Sequence, residues 1–525
     1  MPQTDYIIVG SGSAGSVLAN RLSESNTVTL IEAGPSDHRW DFRLHMPAAL
    51  SHVLSNDRYN WFYHSEPEPG LNNRRMYCPR GRVLGGSSSI NGMIFVRGHP
   101  QDFDNWAKNP GLEDWRYESC LPYFMRSESR PGGNPQMRGA EGPMRIQRAK
   151  GEGPLNDAWL QAVSEAGYPI SDDFNGINQE GAGRFDASIH EGKRFSTSRG
   201  YLSDAMRRDN LRVVRKALTT RILIENSRAI GVEIARGRNI EKLYADSEVI
   251  VCAGAINSPQ LLMLSGIGPA EHLLEHNIKV INDLPGVGAN LQDHLEIYVQ
   301  YECRKPVSIY PALKWYRKPF VGLNWYLFNK GAGATNHFET GAFLKSDETR
   351  DYPDLQFHFL PVAMNYDGSD VHRGHGFQLH VGPMKPTSRG SVKLRDANAR
   401  SAPAIRFNYN STPEDQETMR RGVELARHIV SQPAFEELRG KEIRPGADDL
   451  DTFIRSKAES AYHPSCTCRM GTDEMAVVDA KACVQGIESL RVVDASIMPE
   501  ITNGNLNAPV IMMAEKVSDY IVSDN

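Results

Sequence analysis

The chain has 525 residues, 59 basic and 64 acidic side chains, a net charge of −5, and apolar and charged fractions of 40% and 23%. That length divides into two or three core-bearing units, and a weakly acidic chain without a long basic run is a poor nucleic-acid ligand. No window approaches the roughly 20 uninterrupted apolar residues of a membrane span, and seven cysteines, an odd number, make no disulfide framework.

The first predicted element is Asp5-Tyr6-Ile7-Ile8-Val9, a run of β-formers that reads as a buried strand. No charged leader or apolar export segment precedes it, so a cytoplasmic location is expected, with peripheral contact at the inner membrane left open. The strand enters Gly10-Ser11-Gly12-Ser13-Ala14-Gly15, a G-x-G-x-x-G turn, followed by a helical pattern over Ser16–Leu22. A second strand, Thr27–Ile31, ends on Glu32 and Ala33. These parts in this order predict a dinucleotide-binding unit. Gly10 permits the tight turn, Gly12 lets the backbone approach a pyrophosphate, and Gly15 lets helix and strand pack closely. The helix N-terminus around Ser13 and Ala14 favours an anion, and Glu32 is placed to accept from a ribose. The motif leaves FAD and NAD both open.

A loop-rich stretch from Asp37 to Arg82 follows, then a second small-residue element, Gly81 to Gly92, and the apolar run Met93-Ile94-Phe95-Val96. The element offers backbone N–H groups and little Cβ bulk, which suits a planar ring or a phosphate. Around Arg130–Gly153 the composition turns to Gly and Pro, a crossing between units. Strands are expected at Leu211–Val214, Ala229–Ala235 and Ser247–Cys252. The last enters a small-residue turn at Ala253-Gly254-Ala255 and a helix near Ser258-Pro259. From Tyr298 to Ala458 alternating runs such as Leu355–Phe359 and Phe377–Val381 read as half-buried antiparallel strands. The last 65 residues return to the earlier style, with a strand at Leu490–Asp494, a polar turn over Thr502–Pro509 and an amphipathic helix over Val510–Ile521.

The expected fold is therefore α/β. A discontinuous Rossmann-like unit takes residues 1–155, 196–297 and 459–525, and an α+β substrate-binding cap on an antiparallel sheet takes 156–195 and 298–458. Outside the fingerprint the strongest chemical signal is Tyr462-His463-Pro464 with the Asn505/Asn507 turn. Pro464 holds the preceding residue extended, histidine can take a proton near neutral pH, and an amide can hold a substrate oxygen. Cys466-Thr467-Cys468 beside His463 lacks the paired spacing of structural zinc, so no metal is expected.

Over essentially its whole length the sequence resembles the glucose–methanol–choline family of flavin oxidoreductases. Gly81–Phe95 resembles that family's first signature and Gly254–Gly268 its second. The resemblance implies FAD, contacted by Gly10, Gly12, Ser13, Ala14, Gly15, Glu32 and Ala33 of the first unit. It adds Trp61, Val83, Gly86, Ser87, Asn91, Gly92, Met93, Ile94 and Ala217, and, near the C-terminus, Asp494, Ala495, Ala508 and Pro509. His463 falls on the catalytic histidine and Asn507 on its partner. The middle segment is similar to choline-oxidising members, which implies choline as substrate, betaine aldehyde as product and a quinone-type electron acceptor. Glu302 then faces the trimethylammonium group and Tyr462 walls it. A quaternary ammonium cannot donate a hydrogen bond, so it needs a carboxylate and aromatic faces. Another primary alcohol, or an oxidase using dioxygen, is the alternative.

Three departures qualify the resemblance. Some members attach FAD through a histidine where this chain has Ile90, so non-covalent FAD is expected. Two tryptophans of the related oxidase's aromatic cage fall on or near Ser51 and His337. The chain stops at Asn525, short of the longer tail common in choline-oxidising members.

Overall fold

The computed structural model describes residues 4–365 and 371–524. Two sheets organise it. The strand Tyr6–Val9 lies at the centre of a five-stranded parallel sheet, between Val28–Glu32 and Glu248–Val251, with Leu211–Arg215 and Leu490–Val492 at the edges. Ile7 is in register with Thr29 on one side and Val249 on the other. Every residue of the three inner strands except Glu248 is buried, the pattern of a parallel sheet covered on both faces. The sheet draws on both ends of the chain, and the helices Ser13–Leu22 and Asn507–Asp524 pack side by side against it. Arg21 of the first donates through Nε and Nη2, at 2.9 and 2.7 Å, to the fully buried Glu515 of the second.

Local chemistry adjusts the predicted bounds. The first helix begins at Ser13 because Gly12, extended in ψ, is its N-cap. The helix predicted near Ser258-Pro259 spans Gly254–Leu264 with Pro259 inside it. Proline has no N–H for the carbonyl four residues back, and the hydroxyl of Thr467 donates to that Ala255 carbonyl instead, at 2.7 Å. The C-terminal helix is longer than predicted, Asn507–Asp524, and buried over most of its surface rather than amphipathic. The strand foreseen at Ala229–Ala235 is the middle of a three-stranded antiparallel sheet, Leu218–Glu225, Arg228–Arg236 and Asn239–Tyr244.

The second sheet is antiparallel, in the order Arg439–Arg444, Leu295–Cys303, Gly376–Pro383, Leu355–Leu360, Thr340–Leu344, Gly181–Arg184. Glu459–Ser460 pairs with the start of Leu295–Cys303. One face is apolar. Ile297, Val299, Phe357, Leu379 and Val381 form a core with Trp159 of the helix Pro154–Glu165 and Met419, Val423 and Ala426 of the helix Pro413–Val430. The opposite face carries Glu296, Gln300, His358, Gln378 and His380, all buried. The expectation of half-buried strands is corrected here: Leu355–Leu360 and Gly376–Pro383 are buried throughout, because the polar face looks into the protein. No helix among the described residues is long and apolar enough to cross a membrane.

Candidate active site

A cavity of about 280 Å³ runs from the first glycine turn, past the Gly/Ser element, to His463. At its inner end Gly10 has φ +98°, and a Cβ added to Gly15 would lie 1.9 Å from the Gly10 carbonyl oxygen, so helix and strand touch through that glycine. A Cβ on Gly12 would meet nothing nearer than 4.0 Å, and on Gly92 or Gly254 nothing within 4 Å. All three glycines line the cavity, so their missing side chains leave open space beside backbone. The helix Ser13–Leu22 has no side-chain cap and no acid in its first turn, which leaves its N–H groups for an anion. These are the demands of a dinucleotide, and the chain meets them.

Glu32 is buried, and burial raises its pKa. Its oxygens accept from the Ser11 N–H (3.0 Å), the Ser11 hydroxyl (2.6 Å) and the Gly34 N–H (2.7 Å), so it also closes the turn around the cavity it lines. The Gly/Ser element is a buried short helix, Gly86–Ser89, held from beneath by Arg194. That guanidinium donates to the Asn91 carbonyl (2.6 Å) and the Asn91 Oδ1 (2.7 Å), and burial lowers its pKa to about 9. Ile90, also on the cavity wall, carries no nucleophilic atom. Asp494 joins the far edge of the parallel sheet to the second glycine turn, accepting from the Gly254 N–H (2.8 Å) and the Ser258 hydroxyl (2.5 Å).

The structure brings nearly all the predicted residues to this one cavity. Gly15, Val83, Ala508, Pro509 and Glu302 are the exceptions. Val83, Ala508 and Pro509 are buried behind the wall, in the apolar packing that supports the loop and the last helix. Glu302 needs the larger correction. It stands exposed near the end of the strand Leu295–Cys303 and lines neither this cavity nor the chamber beside it.

The protonation of His463 follows from its neighbours. The Met384 carbonyl can only accept, so His294 Nε2, 3.2 Å away, carries that ring's proton, and burial holds His294 neutral by lowering its pKa to about 3. His294 Nδ1 is then an acceptor, and His463 Nδ1, 3.1 Å from it, must be the donor. The lone pair of His463 is left on Nε2, which accepts from Asn505 Nδ2 at 3.1 Å. Asn505 Oδ1 in turn accepts from Gln356 Nε2 at 3.2 Å. Burial, then His294, Arg80 and His358, push the His463 pKa well below its ordinary 6.5. Asp293 fixes the backbone here, accepting from the His463 N–H at 2.6 Å and from the hydroxyls of Ser460 and Tyr409. Tyr462 beside it takes a left-handed φ of +67°, costly for a bulky residue.

The direct amide partner of His463 is thus Asn505. Asn507 also lines the cavity, but its Oδ1 accepts from the Ser13 hydroxyl at 2.6 Å, at the start of the last helix. Trp61 and Tyr462 both face the cavity.

A second, mostly apolar chamber of about 940 Å³ adjoins the first and shares Leu50 and Phe338 with it. Ser51 and His337 line this chamber. The wall at the junction is the polar face of the antiparallel sheet. His358 lines the first cavity and Gln378 and His380 the chamber. Glu296, two residues beyond His294 and 2% exposed, lines neither space but lies beside them, 3.1 Å from His380 Nδ1 and 3.9 Å from His358 Nδ1. Gln378 Nε2 donates to His380 Nε2 at 2.6 Å, which puts the His380 proton on Nδ1, toward Glu296. Burial lowers His358 to about 4 and His380 to about 3, so both imidazoles are neutral near neutral pH. Sequence reasoning missed Glu296, although period-two alternation after His294 places it on the face opposite Leu295 and Ile297.

The Cys466 thiol is fully buried and burial pushes it up to about 12. Among the described residues the one metal-like group is His272, Glu275 and His276 at the surface. His272 Nε2 accepts the Leu394 N–H, so its proton sits on Nδ1, facing Glu275 as a donor rather than a ligand.

The family models for GMC oxidoreductases match residues 4–296 and 386–514. The chain is 53% identical to the oxygen-dependent choline dehydrogenases of Pseudomonas savastanoi pv. phaseolicola and Cronobacter sakazakii, covering 98% of this chain and 93% and 94% of theirs. Among solved structures, pyridoxine 4-oxidase from Mesorbium loti superposes with a TM-score of 0.90 at 31% identity over 99% of both chains. A variant formate oxidase from Aspergillus oryzae gives 0.93 at 25% identity, over 100% of this chain and 98% of that one.

Proposed function

The chain belongs to the GMC oxidoreductase family, and from that premise we propose that it is an FAD-dependent enzyme that oxidises choline to betaine aldehyde. Bound FAD supplies the hydride-accepting, two-electron chemistry, held non-covalently because Ile90 offers no nucleophile. The glycine turn and the helix opening at Ser13 would hold its pyrophosphate, and Gly86–Ser89 and Asn91 to Ile94 would take its ring system.

The observation that carries the mechanism is the unprotonated Nε2 of His463 at the cavity, its lone pair held by the Asn505 amide, which the substrate hydroxyl replaces. The choline hydroxyl gives its proton to that nitrogen as the α-carbon is oxidised, and Asn505 and Asn507 orient the substrate oxygen. Glu296, buried beside the lining residues His358 and His380, supplies the negative charge for the trimethylammonium group from one layer back, and Tyr462, Trp61 and Phe338 supply aromatic faces, each worth about 0.5–2 kcal/mol toward a cation. Cytoplasmic residence with contact at the inner membrane is part of the same reading.

The test is a comparison of kcat/KM for choline and for its neutral tert-butyl isostere, in the wild type and in Glu296→Gln. Choline preference that collapses in the variant supports the reading; equal rates on both alcohols in the wild type would sink it. A bulkier primary alcohol is the second reading, favoured by the large adjoining chamber. For reoxidation two acceptors are carried, a quinone and dioxygen, the latter because the relatives' names say oxygen-dependent. Peroxide formed in proportion to turnover selects dioxygen.

A further inference from the structure

The surface over the apolar chamber breaks the pattern of the rest of the molecule. In the helix Lys318–Phe328 the only buried residue is Trp325. Phe320, Leu323, Leu327 and Phe328 stand in solvent, Phe320 with 69% of its surface exposed, and Trp315 just before the helix is 83% exposed. The inner side of the same helix, through Val321, Gly322, Trp325 and Tyr326, lines the chamber. A helix apolar on every side belongs in a core or in lipid; this one has a chamber beneath it and water above. The patch extends to Trp40, 60% exposed, whose ring lies 6.4 Å from that of Tyr326. Contiguous exposed apolar surface of this kind marks an interaction site.

Charge identifies the partner. From Cys303 to Phe338 the sequence has no acid and six basic residues, in a chain whose net charge is −5. Arg304 donates to the Glu436 carbonyl and Lys305 pairs with Glu437, which ties both to the body of the protein. Lys314, Arg317, Lys318 and Lys330 remain exposed around the aromatic patch, and none forms an ion pair among the described residues. Aromatic rings bordered by lysine and arginine match the two layers of a bilayer surface, the headgroup–acyl boundary and the anionic phosphates. A two-fold contact with a second copy would set the same four cations against themselves.

We propose that the segment Lys314–Lys330, with Trp40, is a monotopic docking surface for an anionic lipid bilayer, which seats the roof of the apolar chamber on the membrane. The proposal stands whichever alcohol is the substrate.

The test is co-sedimentation of the FAD-loaded enzyme with phosphatidylglycerol/phosphatidylcholine vesicles and with phosphatidylcholine vesicles alone. The wild type is expected to bind the anionic vesicles and to be released by high salt. Two double variants, Phe320→Ser/Leu327→Ser and Lys314→Glu/Arg317→Glu, are each expected to bind at least about tenfold more weakly. Their flavin content and unfolding temperature should be unchanged, which shows that they are folded. Failure of the wild type to bind anionic vesicles would overturn the proposal, as would binding that neither variant weakens. A wild-type dimer that ignores vesicles and that the apolar variant turns into a monomer would make this face an interface between copies instead.

Discussion

The parallel and antiparallel sheets solve opposite problems with the same backbone. The strands around Tyr6–Val9 are buried in apolar surroundings on both faces, and their chemistry sits at the strand ends, where glycine turns meet helix N-termini. The strands around Leu295–Cys303 are also buried on both faces, but one face is polar and carries Glu296, His358, Gln378 and His380 along its length. In the first sheet the site is mostly backbone, with Glu32 and Asp494 closing the turns at the strand ends. In the second the site is side chains, and hydrogen bonds among Glu296, Gln378 and His380 offset much of the cost of burying them. Damage to the first should therefore remove the cofactor, and damage to the second should change what is done with it.

The largest effect expected is on the backbone side. Gly15→Ala puts a Cβ 1.9 Å from the Gly10 carbonyl oxygen, where no flexible side chain can yield. We expect a loss of about 3 kcal/mol or more and protein that purifies without flavin, read by absorbance and thermal unfolding. Normal flavin content would break the comparison at its firmest point.

On the polar side, His294→Leu deprives the His463 Nδ1–H of its acceptor and releases the tautomer. The expected result is a fall in kcat of about a hundredfold with flavin fully bound. The pH profile sharpens this. The active form of His463 is the neutral one, so activity is present above its pKa and lost as pH falls through it. That pKa lies well below 6.5, so the acid limb of kcat/KM should fall below pH 6.5 as well. Because His294 accepts the His463 Nδ1 proton, the limb should shift in His294→Leu. An unmoved limb would detach His294 from the proton chemistry.

Glu296→Gln keeps the shape of the buried polar face and removes the carboxylate. We expect kcat/KM for choline to fall by about thirtyfold while the neutral isostere changes little. Glu302→Gln, on the exposed end of the same strand, should stay within about twofold of wild type, as exposed charges do. A reversal of these two results would restore Glu302 to the substrate site.

The sequence was most legible where chemistry is local. The glycine turn, its flanking strands and Glu32 are all contiguous, and each glycine has a steric reason that can be stated without a fold. His463 was legible because a proline fixes it and its chemistry is singular. Glu296 was not, because a glutamate on an alternating strand looks the same whether its face meets water or the protein interior. The alternation in Leu355–Leu360 and Gly376–Pro383 correctly separated two faces, yet it carried no information about what covers the polar one. Asn505 and Asn507 differ by two positions in one turn, and only the folded geometry decides which amide meets His463. His294 was hidden for a related reason, since its role is to hold a tautomer through a contact 169 positions away in the chain.

The account rests on His463 Nε2 as the group that takes the hydroxyl proton, and one measurement addresses it directly. FAD-loaded wild type and His463→Ala are each mixed anaerobically with choline in a stopped-flow instrument while the oxidised-flavin absorbance is followed. The account predicts rapid bleaching in the wild type and a rate at least about a thousandfold lower in the variant, with the same starting flavin spectrum. Bleaching of the variant at the wild-type rate would contradict it.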